Sequence, residues 1–263
     1  MTSPIAALPM YDWPEARAEV DALWAELRTR FSADGIDAPE TLARRNGDLP
    51  AVHGDIRDGE GRVIAPDPAT LPSEELSFPT LWKHPALLLA QTCWGPMEQG
   101  LHEHVVVIGQ PSYDRIEGGA GELYSSALLM RRSAKVAAPA DGGAVLPLDL
   151  MRNARFAFNS SESMSGSLAL TRDLEAIDES LAVFSECIET GSHRASIAAV
   201  AQGRADVCAI DCKSWQLAQR HEPSAAGVEV VGWTARRKGL PFITSRHTPA
   251  AVVTKLCSIL SKT

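Results

Sequence analysis

No apolar run in this 263-residue chain reaches the ~18–20 residues needed to span a bilayer, so membrane insertion is not expected. Basic clusters are equally scarce. Arg236-Arg237-Lys238 is the densest, and against a formal net charge of −8 it reads as a solvated rim, which excludes a general nucleic-acid binder. The five cysteines, Cys93, Cys187, Cys208, Cys212 and Cys257, are odd in number and lack paired short spacing. That argues against a disulfide framework and for a reducing compartment. Cys208, Ile210 and Cys212 are expected on one face of a strand, as small core residues. The first residues, Met-Thr-Ser-Pro-Ile-Ala-Ala-Leu-Pro-Met, carry no basic leader region and read as a first strand. The expectation is therefore a cytoplasmic protein on the sequence as given, and a periplasmic one if a leader has been lost.

Catalytic signatures are missing as well. There is no Gly-x-Ser-x-Gly elbow, no His-Glu-x-x-His and no Gly-x-x-x-x-Gly-Lys-Ser/Thr loop. His102-Glu103-His104 sets two histidines on one face of an expected strand, without a third ligand. No catalytic residue, resident metal or cofactor is expected.

What is present is an alternation of strands and helices. Hydrophobic residues at 45% and charged residues at 22% suit a globular protein of one large domain or two lobes. Residues 5–8 read as a strand. Pro14 opens a helix carrying Ala18, Leu23, Trp24, Leu27 and Phe31 at helical spacing, and residues 37–75 read mostly as loop. Ala86-Leu-Leu-Leu-Ala90 is a buried strand, ending in a turn-like Gln91-Thr-Cys-Trp-Gly95. Strands at 105–108 and 123–129 are expected to be joined through the hairpin-like Glu117-Gly-Gly-Ala-Gly121. Strands then recur at 155–158, 184–188, 206–210 and 228–233. Helices are expected near 168–176, 197–203, 215–218 and 249–260. This pattern predicts α/β architecture with a parallel or mixed sheet covered on both faces.

The most informative stretch is Phe156-Ala-Phe-Asn-Ser-Ser-Glu-Ser-Met-Ser-Gly-Ser167, where a strand gives way to a Ser- and Gly-rich turn before a helix. Such a turn presents backbone N–H groups and hydroxyl donors with a helix dipole behind them, which suits a phosphate, phosphonate or carboxylate. Its other reading is an N-capped loop, since serine is a preferred cap. Polar clusters at Tyr11-Asp12, Gln91-Thr92, 163–167 and Asp211 follow strand ends, where ligands of open α/β sheets bind. The Gly191-Ser-His193 turn precedes a helix in the same way.

Leu87-Leu-Leu-Ala-Gln-Thr-Cys93, Ser163-Met-Ser-Gly166 and Gly191-Ser-His193, followed by Ala198-Ala-Val-Ala-Gln-Gly-Arg-Ala-Asp206, resemble the phosphate/phosphonate-binding family of ABC-importer substrate-binding proteins. The likeness covers roughly residues 81–245, with a weaker one at Leu8-Pro-Met-Tyr-Asp12. It implies a two-lobed periplasmic-binding-protein-like fold with two crossover strands and an interlobe cleft. Lobe one would be residues 1–108 plus 235–263, lobe two residues 109–234, with crossovers at 125–129 and 231–234. It implies a solute-binding protein for phosphate, phosphite or a small phosphonate, with an ABC permease as partner; the strand–helix alternation suits a monomer, and a signalling protein is the partner if the chain is a sensor. In the family the serine turn grips the oxyanion, which carries over to Ser163, the Met164 backbone and Ser165, with His193 as the matching histidine. Tyr11, Gln91, Thr92 and Asp211 complete the expected ligand-binding set. Three departures stand out: Met164 replaces a hydroxyl, Trp94-Gly95-Pro96 replaces Gly-Tyr-Pro, and Lys213 falls where binders of aminoalkylphosphonates carry an acid. A cytosolic oxyanion sensor, or an enzyme using Ser163, His193 and Asp211, are the alternatives.

Overall fold

Short apolar segments separated by capped turns fold here into two compact units. The computed structural model describes residues 3–131 and 133–261. The first unit comprises the chain up to Pro111 and again from Leu240, the second Ser112–Gly239. Up to Pro111 the strands are β1 (Ile5–Ala7), β2 (Ile56–Arg57), β3 (Val63–Ala65), β4 (Leu87–Gln91) and β5 (Val105–Gly109). The helices there are α1 (Arg17–Ala33), α2 (Phe78–Lys83) and α3 (Trp94–Glu98). The second unit holds β6 (Gly119–Ala120), β7 (Leu123–Tyr124), β8 (Ser126–Met130), β9 (Arg155–Phe158), β10 (Glu186–Glu189), β11 (Val207–Asp211), β12 (Glu229–Trp233) and β13 (Arg237–Lys238). Its helices are α4 (Leu148–Met151), α5 (Ala169–Glu175), α6 (His193–Ala201) and α7 (Cys212–His221). Strand β14 (Phe242–Ser245) and helix α8 (Ala250–Leu260) return to the first unit.

In the first unit the sheet order is β1-β4-β14-β5, with β1 and β4 parallel and β14 antiparallel to both its neighbours. All five residues of β4 are buried, as its unbroken apolar run requires of a strand covered on both faces. On one face Ala6, Leu88 and Phe242 pack with Trp24, Leu27 and Phe31 of α1 and with Leu256, Ile259 and Leu260 of α8. On the other, Ile5, Ala7, Leu87 and Ile243 pack with Leu81, Trp82 and Met97. Each large aliphatic side chain so buried contributes about 1.5–3 kcal/mol.

The second unit has the order β10-β9-β11-β8-β12. Strands β10, β9 and β11 are mutually parallel, while β8 runs antiparallel to β11 and β12. Phe156 stacks on Phe184 at 4.8 Å between centroids, within a core that also takes Leu128, Leu170, Leu174, Val207 and Val231. The Arg155 guanidinium closes the start of β9 onto Asp206 with bonds of 2.9 Å to each carboxylate oxygen. That pairing holds the Asp206 carboxyl at about 2, below its usual range.

Four local expectations are corrected. Trp94 begins α3, so the turn after β4 is confined to Thr92 and Cys93. Residues 117–121 do not join β5 to β8. Gly119 and Ala120 form β6, which pairs with β7, and β5 and β8 lie in separate sheets. Cys212 opens α7, because Asp211 caps that helix and ends the strand before it. His102 and His104 lie at the 3-10 turn Leu101–Glu103 and not on a strand, and among the described residues no cluster fit to hold a metal ion is found. The segments expected as crossovers are β8 and β12 of the second unit's sheet. The chain passes between units at Pro111–Ser112 and Gly239–Leu240.

Candidate functional site

In the second unit three parallel strands end side by side, and each is followed by a capped helical start. After β9, Ser163 caps a π-helical turn, Met164–Leu168, that runs directly into α5. Its hydroxyl oxygen accepts the Gly166 N–H at 3.1 Å, and its carbonyl accepts Ser167 N–H at 3.1 Å and Leu168 N–H at 3.0 Å. The N–H groups of Met164 and Ser165 precede any carbonyl within the helix that they could reach. After β10, Ser192 caps α6 by accepting Ala195 N–H at 3.1 Å, which makes His193 the first helical residue. After β11, Asp211 caps α7, its Oδ1 accepting Lys213 N–H at 3.1 Å and Ser214 N–H at 2.9 Å.

Backbone bonds hold these turns in register. Thr190 N–H donates to Phe158 O at 2.8 Å and Gly191 N–H to Asn159 O at 2.9 Å, so the loop after β10 is tied to the loop after β9. The result brings Ser165 to His193, Oγ to Nε2 at 3.1 Å, and His193 Nε2 to Asp211 Oδ2 at 3.3 Å. The Asp211 side chain is 4% exposed and that of His193 15%. Burial pushes the His193 pKa below its ordinary 6.5, against the opposing field of Asp211. Its Nδ1 is buried and without a hydrogen-bond partner.

Of the residues expected from sequence, Ser163, Met164, Ser165, His193 and Asp211 therefore come together. Met164 is buried, and its sulfur accepts from the Arg172 guanidinium at 3.7 Å, so the side chain turns along the helix. Ser165, not Ser163, faces the histidine. A serine–histidine–acid relay needs hydroxyl and carboxylate on opposite ring nitrogens. Here both approach Nε2, so the imidazole cannot take a proton from one while handing another to the second.

Gln91 is the last residue of β4 and Thr92 follows it, while Tyr11 lies beyond the carboxyl end of β1, the adjacent parallel strand of the first unit. The Gln91 carbonyl accepts the Trp82 indole N–H at 2.9 Å, and Thr92 N–H donates to Pro241 O at 3.1 Å. The Thr92 hydroxyl is buried without a partner. Asp12, beside Tyr11, is held by Arg44 at 2.6 Å.

Asn159 was not singled out from sequence. Its side-chain oxygen lies over Gly166 so closely that a β-carbon there would stand 1.8 Å away. The signal available was its place between strand and serine turn in Phe158-Asn159-Ser160.

Capped helical starts at the carboxyl ends of parallel strands, with hydroxyl and backbone donors and no relay, define a solute-binding class of mixed α/β protein. The family described as ABC transporter, phosphonate, periplasmic substrate-binding protein matches residues 103–263, and the chain belongs to it. The family consists of binding proteins and not enzymes. PhnD1 from Prochlorococcus marinus, solved in complex with methylphosphonate, is similar at 20% identity and a TM-score of 0.52. The similarity covers 68% of this chain and 66% of that one, so this chain spans just under two-thirds of that protein's length. A binding-protein component of an ABC phosphonate transporter from Pseudomonas aeruginosa is similar at 15% identity and a TM-score of 0.59, covering 97% and 73%. A Xanthomonas citri protein solved bound to chloride ion is similar at 16% identity and a TM-score of 0.56, covering 99% and 84%. At these identities the likeness establishes the fold, which is periplasmic-binding-protein-like and two-lobed. No curated protein matches the chain in sequence. Among the described residues no helix is long and apolar enough to cross a membrane.

Proposed function

We propose that this chain is the solute-binding component for a small tetrahedral oxyanion, phosphate, phosphite or a small phosphonate, serving an ABC permease as a monomer. The observation that carries the reading is the Ser163-capped turn with Ser165 at hydrogen-bonding distance from His193. A phosphoryl or phosphonyl group placed there meets hydroxyl donors and the positive end of a helical segment. Methylphosphonate, the ligand in the P. marinus complex, is the first probe. Ligand-contacting roles are proposed also for Tyr11, Gln91 and Thr92 at the strand ends of the first unit. Both oxygens of Asp211 are engaged within the second unit, which favours a ligand without an ammonium group. Lys213, whose ammonium reaches Gln216 at 3.3 Å, favours the same.

Calorimetry with methylphosphonate, phosphate and phosphite tests the reading. Loss of one hydrogen bond to a charged acceptor costs about 1.5–3 kcal/mol, so Ser165→Ala weakens binding roughly ten- to a hundredfold. Equal affinity in wild type and variant removes the turn from the site. Service to a permease places the chain in the periplasm; the exposed Cys187 thiol favours a reducing compartment instead, where the same site would serve an oxyanion sensor. Fractionation of cells expressing the whole reading frame decides the compartment, and recovery from the periplasm reverses that reading.

A further inference from the structure

Asp211 stands at the strand end where a ligand contact would be expected, yet its two oxygens point elsewhere. Oδ1 takes the N–H groups of Lys213 and Ser214, and Oδ2 lies 3.3 Å from His193 Nε2. The same ring nitrogen is 3.1 Å from Ser165 Oγ. An Nε2 between a carboxylate and a hydroxyl must carry the proton, since a bare lone pair there would face the lone pairs of the carboxylate. The neutral ring favoured by burial has one N–H, so Nδ1 is bare, as its buried position without a partner allows.

We propose that Asp211 is a positioning residue that fixes His193 as the Nε2–H tautomer, which makes the Ser165 hydroxyl a donor toward the ligand and tunes the turn to the fully ionised dianion of a tetrahedral oxyanion. This rests on the oxyanion-binding reading above and deepens it. With Nε2–H shared between Asp211 and Ser165, the serine oxygen accepts and its own hydrogen is turned away from the histidine. Ser163 resembles it in that its oxygen accepts Gly166 N–H, which leaves the O–H available to donate. The turn then offers hydroxyl and amide donors. The acceptors around them are engaged or covered: Asp211 Oδ1 takes the Lys213 and Ser214 amides and its Oδ2 faces His193 Nε2, while Asn159 Oδ1 is buried against Gly166. A ligand oxygen that keeps its proton meets another donor and forfeits a hydrogen bond; a bare oxygen forfeits none. The other charged groups near His193 are engaged elsewhere. Arg194 on α6 pairs with Glu222 at 3.0 Å, and Lys213 on α7 reaches Gln216.

The test combines two measurements on the full chain. Long-range nitrogen–proton correlation NMR of the unliganded protein reads the His193 tautomer, and Nε2–H is expected. Calorimetry with methylphosphonate follows affinity from about pH 6 to about pH 8, across the second ionisation of a phosphonate. In the wild type affinity rises through that ionisation and then levels. In Asp211→Asn the amide oxygen keeps the helix cap and the NH2 faces Nε2, so the ring proton moves to Nδ1 and Ser165 turns its hydrogen to the histidine. That variant loses roughly tenfold at the upper pH and little at the lower, flattening the profile. An Nδ1–H or doubly protonated ring in the wild type at pH 7 overturns the inference, as does a wild-type affinity that falls with pH. An equal loss at both pH values in Asp211→Asn overturns it too. If the variant does not fold, the two wild-type measurements still decide. Failure of the wild type to bind any oxyanion removes the binding function instead, and the NMR result on the free protein separates that outcome from a wrong tautomer.

Discussion

Replacing Gly166 by alanine isolates the contact that shapes the serine turn. Gly166 does not lie in the left-handed region, so its backbone would accept alanine without strain. In a helical position free of clashes that change stabilises by up to about 1 kcal/mol. Here the new β-carbon would stand 1.8 Å from Asn159 Oδ1 and 3.0 Å from Asn159 Cγ, so the asparagine or the turn must move. Overpacking of this kind costs about 1–3 kcal/mol. A weakened Ser163 cap adds to that cost, since Ser163 Oγ lies only 3.2 Å from the same β-carbon. The expected net effect of Gly166→Ala is a destabilisation of about 1–2 kcal/mol, with methylphosphonate binding weakened in parallel. Asn159→Ala alone should cost less than about 1 kcal/mol, because the amide oxygen it removes is buried without a partner. In the double variant the clash is gone, so stability recovers and the coupling between the sites is about 2 kcal/mol. Urea midpoints with a common slope measure the cycle. A Gly166→Ala protein as stable as wild type, or a coupling below about 0.5 kcal/mol, refutes the steric account.

Three further outcomes are expected. Burial lowers the pKa of both His84 and His193 below the ordinary 6.5, so each binds a proton more readily in the unfolded chain; stability falls as pH drops below about 6.5 toward the folded values, and His84→Gln or His193→Gln reduces that slope in thermal melts. Asp206, at about 2 when folded, contributes stability that is present above its usual 3.8 and is lost as pH falls toward 2; Asp206→Asn removes this second acid transition, and its persistence in the variant would count against the Arg155 pairing. Partial burial and Glu186 raise the pKa of the Cys187 thiol too, but it is exposed, whereas Cys208 and Cys212 are buried; a thiol reagent at mildly alkaline pH should therefore label Cys187 in the native protein and reach Cys208 and Cys212 only on unfolding, and native labelling of either would contradict their buried placement.

Much of this was legible in the residues because it is local. Strand β9 occupies the expected 155–158, since an apolar run bounded by a turn fixes its own ends. The helix of 249–260 buries Leu256 and Leu260 as its periodicity requires, and adds Ile259. The family resemblance read from the serine turn, the Gly-Ser-His turn and the Gly-Arg-Ala-Asp strand agrees with the matched family. Pairing partners were not legible, because periodicity does not name a neighbour: 117–121 looked like a link between two strands and is the near half of the β6–β7 hairpin. Cys212 read as a strand residue because Asp211 can end a strand or cap a helix, and only the Lys213 and Ser214 amides show which. Likewise the serine that meets His193 is set by helical phase, and a shift of two residues separates Ser163 from Ser165. That both Asp211 and Ser165 approach Nε2 is a matter of angles, which no spacing of residue types conveys.

The central claim is that the turn at 163–167 holds a tetrahedral oxyanion, and amide chemical-shift mapping during a methylphosphonate titration tests it most directly. The account predicts large, saturating shifts at the N–H groups of Met164, Ser165 and Gly166, accompanied by the ring of His193 and abolished or strongly weakened in Ser165→Ala. The groove of about 520 Å³ lined by Trp215, Gln219, His221 and Val230 is the contrasting region of the same unit. Saturating shifts confined to that groove, with the serine turn unmoved, would contradict the claim.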